Sequence, residues 1–313
     1  MTRGTTRTRI ALTTLLCLFL AACGGGDGDK VDISDAYTGN TSGVVLTAEN
    51  FEQVVLDAYL GGDSQVEIAV IPLSADRQGG EPLPLSLAGV LEEALREMNL
   101  GGPESLDLLP GDATIYGDCG DGYADWEADI NPLNWKVEGT IDFYDYCSEG
   151  VTISGPADFW GDIDPLSREM DLTMAFPALS VEADGEEVTV QGNVGMDFEV
   201  ELDGRTEGKI KMDLVLEDES TGKTYWLSDY KVEEKERATF YEVRMGGRYY
   251  DHDAGYIDFE TLDPLEIFFE DDQPSEGQVK FSGGEGTWAL LDFESDGHYR
   301  IEMSDGTVET GTL

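Results

Sequence analysis

From about residue 112 to the C-terminus, apolar and polar residues alternate with a period of two. The longest run is Glu187 to Leu202. There Val188, Val190, Val194, Met196, Phe198, Val200 and Leu202 are all even-numbered, while the odd positions are mostly charged or polar. Successive side chains of a strand point to opposite faces, so this is a strand with one face in a core and one acidic face in water. The same rule puts Trp135, Val137, Ile141, Phe143 and Cys147 of "WKVEGTIDFYDYC" on one face.

The turns test that parity. Val181 and Ala183 are odd and Val188 and Val190 even, so facing residues must sum to an odd number. A two-residue loop at Asp184-Gly185 pairs 181 with 188, and Asp-Gly is the favoured chemistry for it. Before Ile210, Met212, Leu214 and Leu216 the sum must be even, and a three-residue loop Asp203-Gly204-Arg205 pairs 198 with 210. Ser295-Asp296-Gly297 joins Leu291 and Phe293 to Tyr299, Ile301 and Met303, with Gly297 where a bulge wants a left-handed residue. Successive hairpins with consistent faces predict a mainly β fold. Its form is a long antiparallel meander making a strongly curved sheet or open barrel, with a two-sheet sandwich as the alternative. A closed outer-membrane barrel fits poorly, because the polar faces carry too many carboxylates.

Upstream the period becomes helical. In "AENFEQVVLDAYLGG", Phe51, Val54, Val55, Ala58 and Tyr59 share a face, Thr47 stands where a cap is needed and Gly61 ends the run. "SLAGVLEEALREMNLGG", with Ser86 before it and Gly101 after, repeats the design. Pro82, Pro84, Pro103 and Pro110 punctuate the segments between. The expected organisation is a helical part at 44–111, packed on a β domain at 112–313.

The first residues are a processing signal. Arg3, Arg7 and Arg9 precede an uninterrupted apolar and small-residue run at 10–22, too short for a bilayer core that needs about 20 helical residues. Leu20-Ala21-Ala22-Cys23 resembles the bacterial lipobox. The resemblance implies a signal peptide at 1–22, a lipid thioether on Cys23, cleavage after Ala22 and acylation of the freed amine. Two lipid chains hold a protein stably on a membrane. Gly24 stands where the family places an inner-membrane retention aspartate, which implies the outer membrane. Residues 23–43, beginning with a Gly/Asp run, are expected to be a flexible tether.

Removing that signal takes three of the 19 basic residues and none of the 66 acidic ones, deepening a formal charge already at −47. Nucleic acid and anionic surfaces repel such a body, whereas cations, basic envelope proteins or a salty medium suit it. General solubility or adaptation to salt is the plainer meaning of the charge. Hydrophobic residues at 40% suffice for a core, which excludes disorder throughout. Of the four cysteines, Cys17 leaves with the signal and Cys23 is lipidated. In an oxidising compartment that leaves Cys119 and Cys147 as a disulfide.

"GGRYYDHDAGYIDFETLDPLEIFF" and "DQPSEGQVKFSGGEGTWALLDFESDGHYRIEMSDG" resemble the C-terminal part of a group of uncharacterised β-rich proteins and lipoproteins of proteobacteria. Their shared look is a Gly-Tyr-Ile-Asp strand, a Pro-Ser-x-Gly turn and a closing Asp/Gly-rich hairpin. The resemblance implies no activity.

Candidate chemistry is sparse. Asp251, Asp253, Asp258 and Glu260 in "DHDAGYIDFE" are the best calcium candidates, yet the spacing misses the glycine and glutamate of a helix–loop–helix site. Asp118, Asp121, Asp125 and Asp129 form a second acidic stretch. The two histidines, His252 and His298, stand in or beside turns, and no nucleophile-elbow or phosphate-loop motif accompanies them. No catalytic residue and no cofactor is therefore assigned. Trp126, Trp135, Trp160, Trp226 and Trp288 are candidates for a ligand platform, or more simply for packing. The expected function is a non-enzymatic, lipid-anchored envelope protein of binding or structural role. A carrier for an apolar lipid or peptide and a carboxylate-based glycan hydrolase are the alternatives.

Overall fold

The computed structural model describes residues 30–60, 112–117, 119–131, 133–148, 150–164, 169–183, 186–200, 205–269 and 273–312. Among these described residues one helix, α1 (Phe51–Leu60), precedes fourteen strands. They are β1 (Asp112–Tyr116), β2 (Tyr123–Asn131), β3 (Lys136–Ser148), β4 (Val151–Asp164), β5 (Glu169–Ala183), β6 (Glu186–Val200) and β7 (Thr206–Asp218). There follow β8 (Lys223–Glu236), β9 (Phe240–Asp251), β10 (Gly255–Phe268), β11 (Glu276–Ser282), β12 (Trp288–Phe293), β13 (His298–Met303) and β14 (Val308–Thr312). Every strand pairs antiparallel with its sequence neighbours, so the fold is one continuous meander whose edges, β1 and β14, do not close into a barrel. The expected fold class holds. The expected second helix near residues 86–101 lies outside the described residues.

A line of bulges crosses the sheet from β3 to β10. One strand gains residues against its neighbour between Phe143 and Tyr146 in β3, Phe176 and Leu179 in β5, Ser228 and Lys231 in β8, and Ile257 and Leu265 in β10. Each extra residue bends its strand and increases the local twist, so the line is a crease around which the long strands wrap the core. It also resets the alternation. Phe143 and Tyr146 are both buried, as are Leu227 and Tyr230.

That reset corrects the expected face of "WKVEGTIDFYDYC". Val137, Ile141 and Phe143 do point inward. Asp145 takes a left-handed φ of 49°, however, so Tyr146 takes the inward position. Cys147 turns to the other side, where it bonds Cys119 with Cα atoms 5.2 Å apart. Trp135, at φ 58°, belongs to the turn before β3. The inner face forms a single cluster running from Trp126 of β2 to Met303 of β13. Leu172, Val190, Leu214, Leu227 and Ile301 are fully buried in it.

Helix α1 lies on this inner side. Thr47 caps it: its hydroxyl accepts from the Glu49 amide, while Asn50 Oδ1 accepts from the Thr47 amide at 2.7 Å. Phe51, Val55, Ala58 and Tyr59 are buried and Val54 partly so. The Tyr59 ring packs on Phe293 of β12 at 5.1 Å and lies within electrostatic reach of Tyr230 of β8. Burial pushes both phenols well above their ordinary pKa.

From residue 30 on, the chain ahead of α1 is a strap, where a loose tether was expected through residue 43; residues 23–29 of that expected tether lie outside the described residues. Asn193 of β6 clamps Val31 from both sides, accepting from its amide at 3.0 Å and donating to its carbonyl at 2.9 Å. Farther on, the Thr38 amide donates to Thr224 Oγ1 at 3.0 Å and the Asn40 amide to the His252 carbonyl at 2.8 Å. Val44 bonds Tyr256 and Gly284, and Leu46 bonds Thr287. The strap therefore runs from the middle of β6 across β8 to the β9–β10 turn, and delivers α1 to the core.

Candidate functional site

Lys30, where the described part of the strap starts, lines a depression of about 330 Å³ on the outer, polar face of the sheet. Because alternate residues point outward, neighbouring strands deliver their odd positions there. These are Asp171 and Thr173 from β5, Asn193 and Asp197 from β6, Lys209, Lys211 and Asp213 from β7, and Asp229 from the β8 bulge. Gly195 forms an open floor, since the nearest atoms to an added Cβ lie 3.9 Å away.

Register explains the electrostatics. Asp162, Asp171, Asp197 and Lys209 are successive cross-strand partners, so three aspartates stand side by side before a cation closes the row. Like charges directly opposite one another destabilise a sheet. Burial, then the charges of Asp197 and Asp162, raise the Asp171 pKa, while Lys211 opposes the shift. Lys209 makes its ion pair outward, with Glu233 of β8, and Lys211 faces Lys231. The row is therefore a crowded carboxylate patch, with Asp171 the member that burial and its neighbours shift. Together with the lysines it gives a polar depression carrying both signs of charge.

Beside the depression lies an aromatic cluster. Trp226 donates to Asp213 at 2.8 Å and stacks on Tyr250 at 4.6 Å. Tyr37 of the strap packs on both rings. The Arg248 guanidinium sits 4.0 Å from the Tyr256 centroid and forms a bidentate pair with Asp258 at 2.6 and 3.0 Å. Nothing in the local pattern of "DAYTGN" marks Tyr37 as the lid of this cluster. Of its members the sequence singles out Trp226 as a platform candidate, and the adjacent tyrosines of "GGRYYD" add that one of the two must face outward.

The four calcium candidates serve separate ends. Asp251 Oδ1 accepts from the Asp253 and Ala254 amides and shapes the turn. Asp253 pairs with Lys223 at 2.8 Å, which holds its carboxyl below the usual range. Asp258 holds Arg248, and Glu260 is an exposed partner of Lys280. Among the described residues no three carboxylate, histidine or cysteine side chains converge as a metal site. In the second stretch, Asp125 accepts from Thr114 at 2.7 Å, and Asp118 lies outside the described residues. His252 Nδ1 accepts from the Thr224 amide at 3.2 Å, so the ring is tied into the strap's underside. The tryptophans do not gather: Trp126 is in the core, Trp226 in the outer cluster and Trp135 in a turn. Cys23 lies outside the described residues. Among those residues no helix is long and apolar enough to cross a membrane.

Compared with known proteins, the chain matches no family model, no curated protein and no solved structure.

Proposed function

We propose that this chain is a lipid-anchored protein of the bacterial cell envelope, held through Cys23, which acts by binding or scaffolding and not by catalysis. The lipobox-like Leu20-Ala21-Ala22-Cys23 and the Gly24 that follows it favour attachment at the outer membrane. The observation that carries the reading is how near in sequence a firmly held residue stands to Cys23. Val31 is clamped by Asn193, so a short spacer separates Cys23 from a folded body, as a lipid anchor requires. The inner side of the sheet is occupied by its own side chains in one cluster, which favours a contact role for the outer surface over carriage of an apolar ligand. That surface, on a chain of formal charge −47, suits cations and basic envelope proteins.

The test is incorporation of radiolabelled palmitate by cells expressing the full chain. Labelling is expected in the wild type and lost in Cys23→Ala, with the variant released from the membrane fraction. Labelling that persists in Cys23→Ala would sink the anchor.

A further inference from the structure

We propose that the outer face of β1, β2 and β3 beside the disulfide is a docking surface for a lysine- or arginine-rich segment of another protein, held on the rings of Tyr116, Tyr123 and Tyr144 and the carboxylates next to them. This rests on the reading of the chain as a binding protein, and adds the face and the chemistry of its partner.

Register builds the ladder of rings. Tyr116 faces Tyr123, and Tyr123 faces Tyr144, across neighbouring strands. Ile115, Ala124 and Phe143 beside them point into the core, so the three tyrosines point out. Their centroids follow one another at 6.4 and 4.8 Å. Tyr116 is 69% exposed and Tyr144 47%, and they are the two exposed tyrosines among the described residues. Tyrosine offers a broad ring with few rotatable bonds, which is why it recurs in protein interfaces. The disulfide holds the group in place. It ties the β1–β2 connection to the end of β3, where the Cys119 amide also donates to the Cys147 carbonyl at 3.4 Å. A surface held in this way loses little freedom on binding.

Charge chooses the occupant. One row along from the rings Asp125 faces Asp142, and farther on Asp129 faces Glu138. All four are exposed. Like charges opposite one another destabilise a sheet, so a cation laid across them relieves repulsion as well as making contact. Asp142, followed by burial, Tyr123 and Asp125, raises the Tyr144 pKa, which puts the rings in the same negative field. The strip has little counter-charge of its own. Lys136, at the opposite end from the rings, is the one cation in the described residues of β1 to β3. Elsewhere on the sheet cations are present and paired, as in Lys235–Glu207, Arg237–Glu242 and Arg300–Glu302. A cation over an exposed ring is attracted to its π face, and the carboxylates fix the sign of the partner. That combination selects a basic polypeptide over nucleic acid or lipid phosphate, which the same field repels.

The test is fluorescence anisotropy of a labelled peptide of alternating arginine and serine, titrated with the purified full chain at about 0.15 M salt. A peptide of alternating glutamate and serine is the counterpart. Binding of the arginine peptide alone is expected. Tyr116→Ala with Tyr144→Ala, and separately Asp125→Asn with Asp142→Asn, should each weaken it roughly tenfold, the size that two exposed contacts of these kinds supply. The four side chains are exposed, so the core is untouched, and circular dichroism checks the fold of each variant. Asp162→Asn with Asp171→Asn makes the same change of net charge in the middle of the sheet and should leave the affinity unchanged. Equal weakening by that control pair would show net charge at work and overturn the surface. Affinity that survives both ladder pairs would overturn it too, while leaving a binding role to another face. No binding of the arginine peptide, or equal binding of the glutamate peptide, sinks this surface together with the basic-partner reading. The palmitate result on Cys23→Ala is independent of all of these.

Discussion

Position 247 shows what the crease demands of a single residue. Gly247 has φ +148°, and an added Cβ would sit 2.7 Å from both the Asp229 carbonyl oxygen and the Tyr230 Cα. Across from it, Asp229 adopts φ 49° to form the β8 bulge. Alanine at 247 therefore meets an unfavourable backbone region and a backbone neighbour that cannot swing away. Gly247→Ala is expected to cost about 1–3 kcal/mol. For a domain of this size that lowers the melting temperature by roughly 2–4 °C per kcal/mol. Gly195→Ala is the control, since its Cβ meets nothing nearer than 3.9 Å. Equal melting of the two variants, followed by circular dichroism, would contradict the account. At this scale the sequence spoke only in part. Alternation places Val190, Met196 and Ile210 inside, but parity counting makes no allowance for an inserted residue. Asp145 and Asp229 look like any other acid, and Cys147 lands on the wrong face for that reason.

Hairpins were more legible than the segments that join them to the rest. Val181 faces Val188 across Asp184-Gly185, and Phe293 faces Tyr299 across a three-residue loop whose Gly297 has φ 70°. At 203–205 the expected parity holds but the length does not. Val200 faces Thr206, so Phe198 meets Gly208 and not Ile210. Loops of three and five residues give the same parity, and side-chain alternation cannot choose between them. The strap was invisible because its sequence is small and polar and its partners lie far along the chain. Asn193 alone makes two hydrogen bonds to Val31 at a separation of 162 residues. Asn193→Ala removes both, and hydrogen bonds of this kind each contribute on the order of 1 kcal/mol. In hydrogen–deuterium exchange, peptides covering residues 31–38 should exchange faster in the variant. Those covering 44–46, held by Tyr256, Gly284 and Thr287, should not change. Unaltered exchange at 31–38 would mean that the clamp does not hold the strap.

Across the whole molecule, charge is the main influence outside the core. A formal −47 is spread over an outer face on which Asp162, Asp171 and Asp197 are cross-strand neighbours, about 5 Å apart by strand geometry. Repulsion at that range survives in dilute buffer, where the screening length is roughly 30 Å at 0.01 M, and is largely removed at about 3 Å in 1 M salt. The melting temperature should therefore climb through the whole range from 0.01 to 1 M sodium chloride. Protonation acts in the same direction. Asp171 has its pKa raised in the fold by burial and by its two neighbours, so its ionised form destabilises the folded state above that raised value. As pH falls through it, the penalty disappears and stability rises. Asp305 works oppositely: the Thr307 amide holds its carboxyl below the usual range, and its contribution is lost only on further acidification. Acidification through the raised Asp171 pKa should thus stabilise at low salt and have little effect at 1 M, where repulsion is already screened. Calcium divides general screening from a specific site. At matched ionic strength, screening alone predicts the same midpoint with millimolar calcium as with sodium. An extra, chelator-reversible rise, abolished by Asp251→Asn with Asp253→Asn, would instead place a bound cation at the β9–β10 turn. A midpoint that falls with added sodium chloride would show that the paired charges of the outer face, and not its net charge, govern stability.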